Sequence, residues 1–248
     1  VITSQPPAAA LAWAAETAGP DATAHTVRRL LGGAHAATHL LETDTPAREM
    51  ILRRFPPGDS AAVREAHILT ALDGLDGWAP RLLAADPEGK RFGEPATLIS
   101  RLPGRSDITS TSPELAALQL GRALAGLHDV PLDGLTGRTG LRNAMESSTT
   151  GPAWADALGA GGPLASLLAS CVHRLTEAPA VLTHFDFWSG NVLWQGDELT
   201  GIVDWSGAAL APRGFDVSWC RLDLALLHGP GAAELFLNAY QEAAGQAV

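Results

Sequence analysis

The stretch Val181–Ala208, VLTHFDFWSGNVLWQGDELTGIVDWSGA, narrows what this chain can fold into more than any other feature. Within it His184, Asp186 and Asn191 form the pattern H-x-D-x-x-x-x-N, and Asp204 stands at the end of an apolar run. Val192-Leu193-Trp194 and Leu199 to Trp205 flank the polar turn Gln195-Gly196-Asp197-Glu198, which predicts two short strands joined by a tight connection. Such a hairpin folds the chain back on itself and returns Asp204 to the side of Asn191. The alternative is an ordinary hairpin with two solvated aspartates, but that would not require four polar residues at these separations.

The residue types point to phosphoryl transfer. That reaction needs a carboxylate at the acceptor hydroxyl, and oxygen ligands for the magnesium ions that neutralise nucleotide phosphates. Asp186 supplies the first; Asn191 and Asp204 supply the second. There is no G-x-S-x-G and no C-x-x-C, which removes the simplest hydrolase and metal readings.

Charge bounds the partners. Residues 1–102 hold 10 Lys and Arg against 12 Asp and Glu, whereas residues 103–248 hold 7 against 15, so the net charge of -10 sits almost wholly in the second part. A field of that sign repels nucleic acid and attracts cationic small molecules, provided the acidic residues cluster near the site; a generic acidic surface is the alternative. No run approaches the ~18 uninterrupted apolar residues of a membrane span. The Ala-rich run Ala8–Ala15 has no basic residue before it, unlike a secretory signal, and Cys171 and Cys220 lie in apolar helical patterns that suit reduced core thiols. These features predict a cytoplasmic protein without membrane or nucleic-acid partners.

Taken in order, residues 8–18 suit a short helix ended by Gly19-Pro20. Strands are predicted at Thr26–Leu31, Thr38–Thr43 and Glu49–Phe55, a helix from Ser60 to Leu72, and further strands at Leu82–Ala85 and Ala96–Leu102. This gives a five-stranded antiparallel sheet with a helix. Leu102-Pro103-Gly104 then changes the character of the sequence, which divides it into an N-terminal unit, 1–102, and a mostly helical unit, 103–248. The helical unit starts at Ser112-Pro113 and runs to His128, resumes over Pro163–Ala178, and ends with helices from Gly214 and over Ala232–Ala244. Residues 129–162 form an aperiodic Gly- and Thr-rich insert suited to acceptor specificity. Trp154 and Asp156 within it, and Trp188, are candidate acceptor contacts; anchoring the loop to the core is the alternative for Trp154.

The chain resembles the aminoglycoside phosphotransferase and choline kinase group, small-molecule kinases with a bilobal α+β protein-kinase-like fold. The likeness rests on His184-x-Asp186-x-x-x-x-Asn191, on Ile202-Val203-Asp204-Trp205, on Gly214-Phe215-Asp216 and on Leu52-Arg53-Arg54 with Glu65 downstream. It implies that Asp186 is the catalytic base, that Asn191 and Asp204 hold Mg2+, and that ATP or GTP is the donor. His184 and Asp216 would support the site, with Asp216 bracing the catalytic-loop backbone by hydrogen bonds.

In such a fold Gly32 and Gly33 would let the backbone approach the phosphates, although a glycine pair between strands also serves as a plain turn. Lys90 is the only lysine, so the phosphate-binding base on the third strand must be arginine. Strand alternation sends Arg53 and Arg54 to opposite faces, and Arg53 is assigned to the nucleotide, with Glu65 as its partner. The alternative for Glu65 is a surface carboxylate beside Arg64. Two residues depart from the group's pattern: Phe185 stands where a glycine is frequent, and Arg53 where lysine is usual.

The resemblance implies a magnesium-dependent phosphotransferase moving the γ-phosphoryl group to a hydroxyl of a cationic small molecule, an aminoglycoside-like or other cationic antibiotic. The alternatives are a metabolic kinase for choline, a sugar or an amino acid, and a nucleotide-binding module without turnover.

Overall fold

A computed structural model describes residues 5–30, 36–132 and 178–247. It is an α+β fold whose chain divides by packing into two compact units, Val1–Ser110 with Gly190–Gly207, and Thr111–Ser189 with Ala208–Val248.

The first unit is built on a five-stranded antiparallel sheet of β1 (Ala24–Leu30), β2 (Ala37–Asp44), β3 (Ala47–Arg54), β4 (Leu82–Asp86) and β5 (Ala96–Ser100), in the order β1-β2-β3-β5-β4. Alternation along β2, β3 and β5 buries Leu41, Met50, Leu52, Ala96 and Leu98 on one face. Helix α1 (Ala8–Ala18) closes that face with Ala10, Trp13 and Ala14. Helix α2 (Ala61–Leu72) follows β3 and buries Ala62, Glu65, Ala66 and Leu69 at helical spacing.

The same unit takes in the hairpin read from the sequence. Its arms are β7 (Val192–Gln195) and β8 (Glu198–Ile202). It is tied to the sheet unit by backbone bonds: Trp194 and Arg105 exchange both of theirs at 2.8 and 2.9 Å, and Ile202 N–H donates to the Trp78 carbonyl at 2.8 Å. Gly104, at φ +96°, permits the crossing, because a Cβ there would sit 2.6 Å from the Trp194 carbonyl oxygen.

The second unit is mostly helical. Helix α3 (Pro113–His128) begins as the sequence predicts, with Pro113 in its first turn and the Ser112 hydroxyl accepting from Leu115 N–H at 3.2 Å. It packs on α5 (Pro230–Ala244), and at Gly121 the approach is so close that a Cβ would lie 2.7 Å from the Phe236 carbonyl oxygen. Helix α4 (Gly214–His228) precedes α5. Strand β6 (Ala180–Thr183) pairs with β9 (Ala209–Pro212), a partner the sequence did not announce: Ala-Leu-Ala-Pro is buried at all four positions and has no alternation to betray a strand. No helix among the described residues is long and apolar enough to cross a membrane.

Candidate active site

In the sheet unit the site grows from β3. Pleating sends Arg53 and Arg54 to opposite sides, where Arg54 meets Glu94 at 2.8 Å and Arg53 meets Glu65 from α2. Glu65 is 1% exposed, which excludes a surface role, and it also accepts from the Thr97 hydroxyl at 2.7 Å. The other end of the Arg53 guanidinium reaches further than the sequence indicated, donating from Nη2 to Asp204 Oδ1 at 2.8 Å. Burial opposes the Arg53 charge, but Glu65 and Asp204 beside it hold the guanidinium above its usual value. Burial likewise lifts the Glu65 carboxyl above the ordinary carboxylate range, against the pull of Arg53 and Thr97.

The hairpin delivers Asp204. Val203 N–H donates to the Asn191 carbonyl at 2.8 Å, so the two arms are still joined where Asn191 enters β7 and Asp204 leaves β8. Asp204 adopts φ +64° and accepts from the Ser206 hydroxyl at 3.0 Å, while Arg64 Nε donates to the Ser206 carbonyl. A carboxylate and a carboxamide are hard oxygen donors of the kind Mg2+ takes, the ion filling its remaining positions with water and phosphate oxygens. Arg53 Nε is buried with no partner among the described residues.

In the helical unit the site follows β6. Asp216, fully buried in the first turn of α4, accepts His184 N–H on Oδ2 and Phe185 N–H on Oδ1, both at 2.7 Å. A carboxylate at a helix N-terminus is favoured by the helix dipole, and here its position fixes the loop backbone. His128 Nε2 lies 3.2 Å from the same Oδ2, its Nδ1 lies 2.7 Å from the Tyr240 hydroxyl, and Arg213 donates to that hydroxyl at 3.1 Å. Burial pushes the Tyr240 hydroxyl up, with Arg213 pulling the other way.

The loop itself carries a conformational constraint. Phe185 sits at φ +67°, a left-handed backbone that glycine adopts freely and other L-residues at a cost of roughly 1–2 kcal/mol. Its ring stacks on Phe215 at 5.0 Å between centroids, 25° from parallel. The His184 ring is buried edge-on to Phe187, and Trp188 is partly exposed. Asp186 accepts from the Trp219 indole N–H at 3.1 Å, and Ser189 N–H donates to Asp223 at 2.9 Å.

Arg53, Glu65 and Asp204 are therefore brought together in one unit, and His184, Asp186 and Asp216 in the other. Gly32, Gly33, Trp154 and Asp156 lie outside the described residues, as does all but the last position of the helix predicted over Pro163–Ala178. Sequence reasoning did not find Trp219, Asp223, His128 or Tyr240. For the first two a signal existed: 216, 219 and 223 stand at i, i+3 and i+7 on one face of a helix.

The chain matches the phosphotransferase enzyme family over residues 26–248. A homoserine kinase of Methylobacterium nodulans is 32% identical over 149 residues, which is 56% of this chain and 45% of that kinase. The chain spans about half the length of the homoserine kinases it matches. Among solved structures, the macrolide 2'-phosphotransferase of Brachybacterium faecium is similar with a TM-score of 0.66 at 18% identity, covering 95% of this chain and 82% of that one. An aminoglycoside-3'-phosphotransferase of type VIII is similar with a TM-score of 0.65 at 22% identity, covering 96% and 93%. These structural likenesses establish the protein-kinase-like fold of small-molecule phosphotransferases.

Proposed function

This chain belongs to the phosphotransferase enzyme family, and from that premise we propose that it transfers the γ-phosphoryl group of ATP or GTP to a hydroxyl of a cationic small molecule of the antibiotic kind. The observation that carries the reading is the cluster around Arg53 of β3: a buried guanidinium held by Glu65 of α2 beside the Asp204 carboxylate, a pairing suited to phosphate oxygens and a metal ion. Residues 1–102 serve the nucleotide, with Gly32 and Gly33 over its phosphates and Arg53 on their oxygens. Residues 103–248 serve the acceptor, with Trp154, Asp156 and Trp188 as contacts.

Asn191 and Asp204 would hold Mg2+, which would neutralise phosphate charge. Asp186 orients the acceptor hydroxyl and takes its proton as the oxygen attacks the γ-phosphorus, whose bond to the β,γ-bridging oxygen breaks and releases the nucleoside diphosphate. Arg53 accompanies the charge that develops on the phosphoryl oxygens, and its planar fork suits a bidentate hold. The acidic balance of residues 103–248 supports a cationic acceptor, and ATP as donor supports a cytoplasmic setting.

A second reading is a metabolic kinase for a hydroxy-amino acid, supported by the 32% identity to a homoserine kinase. The experiment is magnesium-dependent nucleotide consumption against aminoglycosides, macrolides, cationic peptide antibiotics, choline, homoserine and sugars, with Asp186→Ala as control. Turnover of one cationic antibiotic, reduced about 10²- to 10⁴-fold in the control, is expected. Turnover of homoserine alone selects the second reading. Magnesium-nucleotide binding with no turnover of any acceptor leaves a non-catalytic module and overturns both.

A further inference from the structure

Three side chains on one face of α4 reach the segment 184–189 at its start, middle and end. Asp216 accepts the N–H groups of His184 and Phe185, Trp219 donates to Asp186, and Asp223 accepts the N–H of Ser189. The two aspartates hold backbone. Trp219 alone of the three holds a side chain, and that side chain is the carboxylate assigned to the chemistry.

The exposure of Trp219 is informative. A tryptophan placed for core packing is mostly buried, whereas this one keeps 48% of its surface exposed at the edge of α4 and spends its single donor on Asp186 Oδ1. The terminal torsion of an aspartate is broad and roughly two-fold, so a donor fixed on one oxygen decides which orientations the carboxylate presents to an acceptor hydroxyl. A donor-only N–H on one oxygen narrows that freedom from a fixed direction.

We propose that Trp219 is a positioning residue for phosphoryl transfer: its indole N–H sets the orientation of the Asp186 carboxylate, and α4 acts as a three-point template for the loop that carries this base. The inference rests on the reading of Asp186 as the base. The template explains why 216, 219 and 223 share a face. The spacing fixes where on α4 each bond originates, and the segment 184–189 is laid along it from one end to the other.

The test uses the full chain in three forms: wild type, Trp219→Phe, and a chain carrying the benzothienyl analogue of Trp at position 219, which keeps the ring's shape and removes the donor. With the acceptor found in the panel, both altered chains are expected to lose about 10- to 100-fold in kcat, with nucleotide affinity and acceptor KM within about two-fold of wild type. Full kcat in the benzothienyl chain overturns the proposal, because shape alone would then suffice. Asp186→Ala separates the two ideas: if it keeps its turnover, the reading of Asp186 fails; if it loses turnover while both Trp219 variants keep theirs, only the present inference fails. A readout independent of turnover is the indole N–H resonance of Trp219 in a 15N-Trp-labelled chain, assigned through Trp219→Phe. That resonance is expected to shift in Asp186→Ala more than those of the other tryptophans, and an unmoved signal overturns the hydrogen bond itself.

Discussion

Replacing Arg53 by methionine keeps most of the side-chain volume and deletes the charge that Glu65 faces. Glu65 is 1% exposed by side chain and Arg53 7%, so the carboxylate left behind cannot turn to water. Only the Thr97 hydroxyl, at 2.7 Å, still donates to it among the bonds described. Removing one member of a buried ion pair costs about 3–5 kcal/mol, much of it the desolvation of the survivor. Glu65→Leu should fall at the lower end, about 3 kcal/mol, because Arg53 keeps Asp204 at 2.8 Å. The double replacement leaves no buried charge unpaired, since the Asp204 side chain is 30% exposed and retains the Ser206 hydroxyl. Exchanging a buried pair for apolar groups of similar size is often neutral, so the double variant should be more stable than either single one, with a coupling energy of at least about 2 kcal/mol. Urea denaturation followed by tryptophan fluorescence reads this as a midpoint lowered by about 1 M or more in each single variant and partly restored in the double. Strictly additive midpoints would refute the argument, for Arg53 and Glu65 would then not be one electrostatic unit.

Asp216→Ala leaves the N–H groups of His184 and Phe185 buried without their acceptor, a loss of about 3 kcal/mol or more that thermal denaturation should register, with faster hydrogen exchange at those two amides. Gly121→Ala should destabilise by about 1–3 kcal/mol despite alanine's helix preference, since its Cβ meets the Phe236 carbonyl. Gly126→Ala on the same helix meets nothing within 4 Å and should raise the melting midpoint by up to about 1 kcal/mol of stability. Asp44 is held down to about 2 by the Thr23 backbone N–H and hydroxyl, against 3.8 for a free group. A depressed carboxylate contributes stability that is present above its unfolded value and lost as pH falls through its folded one, so the advantage of wild type over Asp44→Asn should fade between pH 3.8 and 2. Phe185→Gly should change stability by less than about 1 kcal/mol, since relief of the left-handed backbone, about 1–2 kcal/mol, offsets the lost stacking and added chain entropy. Phe185→Val, which gains no relief and loses the ring, should cost about 2 kcal/mol or more in the same denaturation assay.

The parts of this architecture that sequence exposed are those governed by local period. Alternation separated Arg53 from Arg54, the apolar runs around Gln195–Glu198 announced a hairpin, and the Ser112-Pro113 pair announced a helix start. What stayed hidden depends on contacts that span the chain. The bond between Arg53 and Asp204 joins residues 151 apart, and the one between His128 and Asp216 joins residues 88 apart, so no local spacing encodes either. His128 reads from sequence as a helix-end or packing histidine, because the last turn of a helix favours one on dipole grounds alone and neither role points to Asp216. Trp219 was concealed differently: within GFDVSWCRLDL it looks like one more apolar residue of an amphipathic helix, its shared face with positions 216 and 223 is a faint signal, and its exposure and its donor bring it out.

The placement of anchors along the segment 184–209 has a consequence for how the residues assigned to chemistry are fixed. The chain leaves the helical unit at Ser189, whose N–H is held by Asp223, and enters the sheet unit at Gly190, just before Asn191 is bonded to Val203. On the return it leaves at Gly207, just after Arg64 holds the Ser206 carbonyl, and re-enters where the Thr183 hydroxyl donates to the Ala209 carbonyl at 2.8 Å. Each unit thus secures its own share up to the crossing: Asp216, Trp219 and Asp223 order the stretch bearing Asp186, while Arg53, Arg64 and the β7–β8 ladder order the stretch bearing Asp204. The entropy of fixing each group is met inside a single packed unit during folding, before any ligand arrives, which is the condition for a preorganised site. It also means that the effects of substitution should separate by unit. On the proposed roles, changes behind Asp186 should act on the transfer step and changes behind Asp204 on nucleotide and metal affinity.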